Sequence, residues 1–225
     1  MNLKKRLMIM KKIVFATIPM QPQEGEGWDP EGYVYKCNDN KNIEYDKKVR
    51  FAINGFLAKT LSKEDDVKIV QILVNNDKSE HNAAIQKTEL ERMNKNIGAI
   101  INFKKIVTDF DESGSTIEKR FQELIGELEE NCEIFLDMTF GSKTLVPVLF
   151  YVLGFAEKFF DADIKNILYD KIKFKRLDNG NSVPNPDTCE IYDVTSLFYL
   201  NSLTSVMEAP DGKTAIERLN KFFTL

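Results

Sequence analysis

The sequence predicts an α/β, Rossmann-like fold, a mostly parallel sheet flanked by helices, with a β-hairpin excursion after strand one. Three observations predict it. Short β-rich apolar runs recur along the chain (KKIVFATI, VKIVQILVNN, CEIFLDM), nearly unbroken in hydrophobicity, as strands covered on both faces are. Segments with apolar residues at helical spacing separate these runs, the alternation that builds parallel sheets through crossover connections. The chain has 225 residues, of which 43% are apolar and 11% aromatic, enough to bury one substantial core.

Each element follows from its own pattern. Residues 1–10, MNLKKRLMIM, form a leader; Lys11 and Lys12 cut the apolar run well short of a signal core or a membrane span. KKIVFATI, residues 11–18, is the first strand. PMQPQEGEGWDPEG is a long loop rich in proline, glycine and acid. GYVYKCNDNKNIEYD then suggests a hairpin with Asn38–Lys41 as its turn. Val49, Ala52, Ile53, Phe56 and Leu57 stand at helical spacing between Asp46 and Leu61, with Asp46 as the cap. Val67–Asn76 is a strand, 79–97 a polar helix, and FKKIVTDF a further strand. From Ser115 to Glu130 the residues Ile117, Phe121, Leu124, Ile125 and Leu128 share one face of an amphipathic helix. CEIFLDM is a strand, and 144–160 is the most apolar helix in the chain. DIKNILYDKIKF is read as one strand, NGNSVPNPD as a loop and TCEIYDV as the last strand. Asp193 or Thr195 caps a helix reaching to about Glu208. The main domain therefore runs over 11–208, and DGKTAIERLNKFF makes a short helix within 209–225.

Composition removes several function classes. The net charge of −4 gives no broad surface for a long nucleic acid, although a small anion needs only a local cluster of donors. Cys37, Cys132 and Cys189 are widely spaced and odd in number, which fits a reducing, cytosolic setting. His81 is the single histidine, in the polar stretch NDKSEHNAA, and reads as a solvated helix residue. One histidine and no CxxC pair leave no ligand set for structural zinc, and neither metal nor cofactor is expected. A histidine-dependent nucleophile would have to use His81, which has no supporting neighbours in sequence.

The stretch LDMTFGSKTLVPVLF concentrates the candidate chemistry. Asp137, Thr139, Gly141, Ser142, Lys143 and Thr144 fall between a strand and a helix. Pro147 is tolerated only in the first helical turn, which sets the N-cap near Ser142–Thr144. First-turn N–H groups are then unpaired, Gly141 admits a close approach, the hydroxyls donate and Lys143 adds charge, together a seat for a phosphate. The spacing is neither a P-loop nor a dinucleotide fingerprint. An ordinary capped turn accounts equally for these residues: Thr139, Ser142 and Thr144 as caps, Lys143 solvated, Asp137 a hydrogen-bonded strand end. Both readings stand on sequence.

The run LDMTFGSKTLVPVLFYVL resembles the signature of CARF (CRISPR-associated Rossmann fold) domains. There a strand ends in Asp-hydrophobic-Thr, then His-Gly, a basic residue and a small hydroxyl residue before an apolar helix. Three further segments are similar: the opening strand with its polar loop, YVYKCNDNKNIEYDKKVRFAINGFL, and KIKFKRLDNGNSVPNPDTCEIYDVTSLFYLNSLTSVM with its Asp193-Val194-Thr195. The resemblance covers roughly residues 11 to 208. Phe140 stands where that family has histidine, proline comes one place later, and few residues follow Glu208. The resemblance implies a CARF-only sensor of type III CRISPR systems, without an attached effector, working as a homodimer. Its ligand would be a cyclic oligoadenylate, most of all cyclic tetra-adenylate, held by Thr17, Ile18, Asp137, Thr139, Phe140, Gly141, Ser142, Lys143 and Thr144. Some such proteins are metal-independent ring nucleases that use the ribose 2′-hydroxyl against its own phosphate. On that reading Lys143 stabilises charge, and Thr17 or Ser142 orients the attack; Thr17 also reads as an ordinary strand-end residue. The alternatives are a non-catalytic sensor that signals to a separate effector or sequesters the messenger, and a general Rossmann-type enzyme using Asp137 or Asp193 with Mg²⁺. The loop Gln21–Gly32 is expected to close over ligand, with Trp28 as its reporter or its anchor.

Overall fold

A computed structural model describes residues 10–177, 180 and 182–223; apart from Met10, the expected leader lies outside the described residues. The strands are β1 (Met10–Thr17), β2 (Asp65–Val74), β3 (Ile100–Thr108), β4 (Glu133–Asp137), β5 (Asp163–Lys171), β6 (Phe174–Arg176), β7 (Ser182–Pro184) and β8 (Glu190–Asp193). The helices are α1 (Ala52–Thr60), α2 (Asp77–Ile97), α3 (Gly114–Ile125), α4 (Leu145–Phe160), α5 (Thr195–Val206) and α6 (Gly212–Phe223). Six strands form one sheet in the order β3-β2-β1-β4-β5-β8. All neighbours are parallel except β5 and β8. The order reverses between β1 and β4, and ligands of open α/β sheets bind beyond the carboxyl ends of strands at such a point.

Alternation along the central strands divides the core. Val14 and Ala16 of β1, Val67 and Ile69 of β2 and Phe135 of β4 pack with Ile53, Phe56 and Leu57 of α1 and Leu90 of α2. Ile13, Phe15, Val70, Ile134 and Leu136 face the other way, onto Leu124 of α3, Leu149, Val152 and Leu153 of α4 and Phe198 of α5. Helices on both faces explain why these strands carry no polar side.

Local differences from the sequence reading have physical causes. The excursion after β1 closes antiparallel, with Tyr33 and Val49 exchanging both backbone hydrogen bonds at 2.9 and 3.0 Å. Its arms make no further rungs with each other, and no tight turn forms over Asn38–Lys41. Lys36 bridges Glu190 instead, and Lys41–Ile43 is a single 3₁₀ turn. Side chains replace the missing ladder: Glu44 accepts from the Cys37 N–H at 2.6 Å, and Lys41 Nζ donates to the Cys37 carbonyl at 2.6 Å.

Helix α1 begins at Ala52, well past Asp46, and Phe51 at its N-cap has no capping side chain. The cap comes from another helix. Glu89 of α2 accepts from the N–H groups of Arg50 (2.7 Å) and Phe51 (3.3 Å) and from Asn54 Nδ2 (2.9 Å). Burial pushes its carboxyl above the usual range. Ser79, Asn82, Gln86 and Glu89 are all buried, a polar stripe on α2 aimed inwards. Asn82 holds the carbonyls of Pro19 and Gln21 at 2.9 and 2.7 Å, and Gln86 takes Gln71 of β2 at 2.8 Å. The stretch read as one strand from Asp163 breaks after Lys171. Its last residue, Phe174, opens β6, which is antiparallel to β7 in the expected loop. Among the described residues, no helix is long and apolar enough to cross a membrane.

Candidate functional site

The carboxyl ends of β4 and β8 repeat one device. Thr139 donates through N–H (3.0 Å) and hydroxyl (2.6 Å) to Asp137 Oδ1. Thr195 donates to Asp193 Oδ1 in the same two ways. Each threonine oxygen then accepts from the strand between them: Thr139 from the Asp170 N–H at 2.9 Å, Thr195 from the Ile167 N–H at 2.8 Å. The two Asp-x-Thr motifs therefore clasp β5 from both sides, satisfying backbone donors just where the ladders end. Asp193 also accepts from Asn166 Nδ2 at 2.7 Å.

At the first clasp the Thr139 hydroxyl also touches Asp170 Oδ1. One hydroxyl carries one proton and cannot donate to two carboxylates, so one carboxyl of the pair must donate back to it. Asp137 and Asp170 accordingly share a proton. Burial, and for Asp137 also the Asp170 charge, pushes them up, to about 8 and about 6. Tyr35 and Cys189 lie close by, and burial together with the Asp170 charge raises both, the thiol to about 11.

Thr17, at the end of β1, is buried and accepts from the Phe140 N–H at 2.9 Å. That bond ties the two strand ends across the reversal point. Asp137, Thr139 and Thr17 are thus turned into the protein and satisfied there. The segment after Phe140 turns outward. Gly141 has φ +108°, a left-handed conformation that favours glycine, and an added Cβ would lie 2.6 Å from Leu145 Cδ2, which would have to shift. Gly141 and Lys143 are exposed, and Lys143 makes no ion pair among the described residues. Helix α4 starts at Leu145 with Pro147 in its first turn, and Thr144 gives it no side-chain cap.

Ile18, Gly141, Ser142 and Leu145 line a cavity of ≈10 Å³ with Asp109, Phe110 and Arg120. Sequence reasoning missed Arg120. It stands on the apolar face of α3 between Ile117 and Leu124, and a charge at a core position was the signal for it. Its guanidinium is buried and donates to the carbonyls of Asp109 (3.2 Å) and Asp111 (3.4 Å) and to Ser142 Oγ (3.5 Å). Its Nε has no partner. Glu112, in the exposed loop before α3, faces the Thr144 and Ser142 hydroxyls, which with the Arg120 charge hold its carboxyl below the usual range.

The larger hollows lie elsewhere. One of ≈670 Å³, lined by Tyr45, Lys47, Arg92 and Asn96, is formed at the α1–α2 side and includes none of the sequence-predicted residues. The loop Gln21–Gly32 is tied down by Asn82, by Arg50 donating to the Gln23 carbonyl at 2.6 Å, and by His81 meeting Glu24 at 2.8 Å. Trp28 packs on Phe174 with ring centroids 6.0 Å apart. Among the described residues, no three His, Cys, Asp or Glu side chains gather as a metal site. No family model matches the chain, and no curated protein matches it significantly.

Proposed function

We propose that this chain binds a cyclic oligoadenylate, cyclic tetra-adenylate foremost, between two copies of itself, as a CARF-like sensor in type III CRISPR antiviral signalling in the cytosol. One observation carries the reading: the outward-turning Gly141–Lys143 segment at the α4 N-terminus, with Gly141 and Lys143 exposed, where the strand order reverses. Here the main chain admits a phosphate, amides and hydroxyls donate, and Lys143 adds charge. A single copy offers an open half-seat beside a cavity too small for a nucleotide. A ring of repeated adenylates is two-fold symmetric, so a C2 dimer sets two half-seats against its opposite halves. Tyr151 of α4 and Val206 of α5 are 72% and 75% exposed, and Ile216 of α6 is exposed too; apolar surface of this kind suits cover by a second copy.

Binding is favoured over cleavage by the state of Thr17. Its hydroxyl is buried and committed to Phe140, which leaves Ser142 and Lys143 alone to orient a ribose hydroxyl and stabilise phosphate charge. The test is calorimetric titration with cyclic tri-, tetra- and hexa-adenylate. Stoichiometric protein is then held for hours with cyclic tetra-adenylate and EDTA. Saturable binding of one ring by two chains is expected. No binding of any ring overturns the reading. Linear di-adenylate ending in a 2′,3′-cyclic phosphate makes the protein a ring nuclease, and an intact ring leaves a sensor that signals to a separate effector or sequesters the messenger.

A further inference from the structure

We propose that β3, the free edge of the main sheet, pairs antiparallel with β3 of a second copy about Phe103, so that one sheet runs across both chains. This interface goes beyond the function proposed above and does not rest on it.

The sheet has two edges, and the fold treats them differently. Beyond β8 the excursion supplies cover: the Lys36 N–H donates to the Cys189 carbonyl at 3.0 Å, and the Lys36 carbonyl accepts from the Ile191 N–H at 2.9 Å. Beyond β3, which ends the sheet on the other side, no described strand follows. β3 runs for 9 residues in unbroken register with β2, without the proline, bulge or shortness that blunts an edge. Lysines also protect an edge, but here the chain matches both of them, Lys104 with Glu127 at 3.7 Å and Lys105 with Glu80. The Thr108 carbonyl accepts from the Asn75 N–H, so the even-numbered residues of β3 bond towards β2. Ile101, Phe103, Lys105 and Val107 therefore present N–H and C=O outwards, a row that an extended main chain satisfies.

The residues of β3 select a second copy as that main chain. Two identical strands related by a two-fold axis normal to the sheet pair about one central residue, and opposed side chains share a face. Centring on Lys104 or Lys105 sets a lysine directly against the same lysine of the partner, which is unfavourable. The longest register free of such a clash is centred on Phe103. It bonds Phe103 to the partner's Phe103 and Ile101 to the partner's Lys105 through the outward groups of both chains. On one face the two Phe103 rings meet. On the other, Ile100, 54% exposed in the single chain, meets the partner's Ile106, and Asn102 meets the partner's Lys104. The seats at the end of β4 then stand about 30 Å apart at the usual strand spacing, so this contact is separate from the one that encloses a messenger.

The experiment is sedimentation velocity on wild type, Asn102→Lys and Asn102→Glu, each without ligand and over a concentration series. Asn102 is exposed, so both variants keep the fold, and the two-fold axis sets position 102 opposite Lys104 twice. Wild type is expected to dimerise. Asn102→Lys creates two like-charge pairs and should weaken the dimer about five- to twentyfold; Asn102→Glu creates two opposite-charge pairs and should tighten it by about as much. Added salt should narrow the gap between the variants. Amide exchange on wild type reads the backbone directly: the N–H groups of Phe103 and Lys105 should gain protection as concentration rises, while that of Lys104, already bonded towards β2, should not. A wild type that stays monomeric throughout, a dimer of equal affinity in the two variants, or no gain of protection at Phe103 and Lys105 overturns the proposal. The messenger is absent from these measurements, so their failure leaves the function above standing, and failure of ring binding leaves this interface standing.

Discussion

Replacing Asp137 by asparagine should change how stability depends on pH more than it changes stability itself. The Thr139 hydroxyl touches carboxyl oxygens of both Asp137 and Asp170 and accepts the Asp170 N–H, which requires a proton on one of the two acids. The usual aspartate value of 3.8 applies to the unfolded chain, whereas the folded pair is raised to about 6 and about 8. A raised acid contributes its stability in full below the unfolded value, and that contribution is lost as pH rises through the folded values. Between pH 6 and 8 the folded chain holds one proton more than the unfolded chain at this pair. The slope there is about −1.4 kcal/mol per pH unit, or about 3 kcal/mol across the window. Asparagine needs no proton, so Asp137→Asn should remove most of that slope while shifting stability at pH 6 by less than about 1.5 kcal/mol. Because the proton belongs to the pair, Asp170→Asn should flatten the profile as well. The assay is urea unfolding of the three proteins at half-unit steps from pH 5 to 9. Parallel profiles for wild type and both variants would refute the shared proton.

Lys143→Ala should weaken cyclic tetra-adenylate by roughly tenfold by calorimetry, since it removes a charge facing phosphate; unchanged affinity means that the ring sits elsewhere. Glu89→Ala should cost about 2–4 kcal/mol in urea unfolding, because it strands two backbone donors and the Asn54 amide in a buried site. Glu89→Gln keeps an acceptor there and should cost about half as much; equal losses would contradict a capping role. Thr17→Val should lower stability by about 1–2 kcal/mol through the orphaned Phe140 N–H, and a variant as stable as wild type would return Thr17 to the list of residues free for ligand.

Patterns that depend on neighbours in sequence were legible without the structure. Continuous apolar runs gave strands buried on both faces, as Ile13 to Ala16 are, and helical spacing gave α1 to α4. The polar turn LDMTFGSKT was recognisable as the strand-to-helix corner, with Pro147 marking the first turn. Which of its residues face inward was not legible, because capping a turn and seating an anion demand the same small hydroxyls and glycine. Only the approach of β5 showed that Thr139 is occupied, and only the approach of β1 showed the same of Phe140 N–H.

The chain by itself determined the alternation of elements, and hence a layered sheet with helices on both faces, because burial of an apolar stripe is a local, periodic requirement. The tertiary structure alone decided how isolated polar groups are used. Glu89 became the cap of a helix 38 residues away, Asp170 joined Asp137 over one hydroxyl, and Arg120 arrived beside Ser142. A buried charge is tolerable only with partners, and those partners come from elements brought together by the core, at separations that no sequence period encodes.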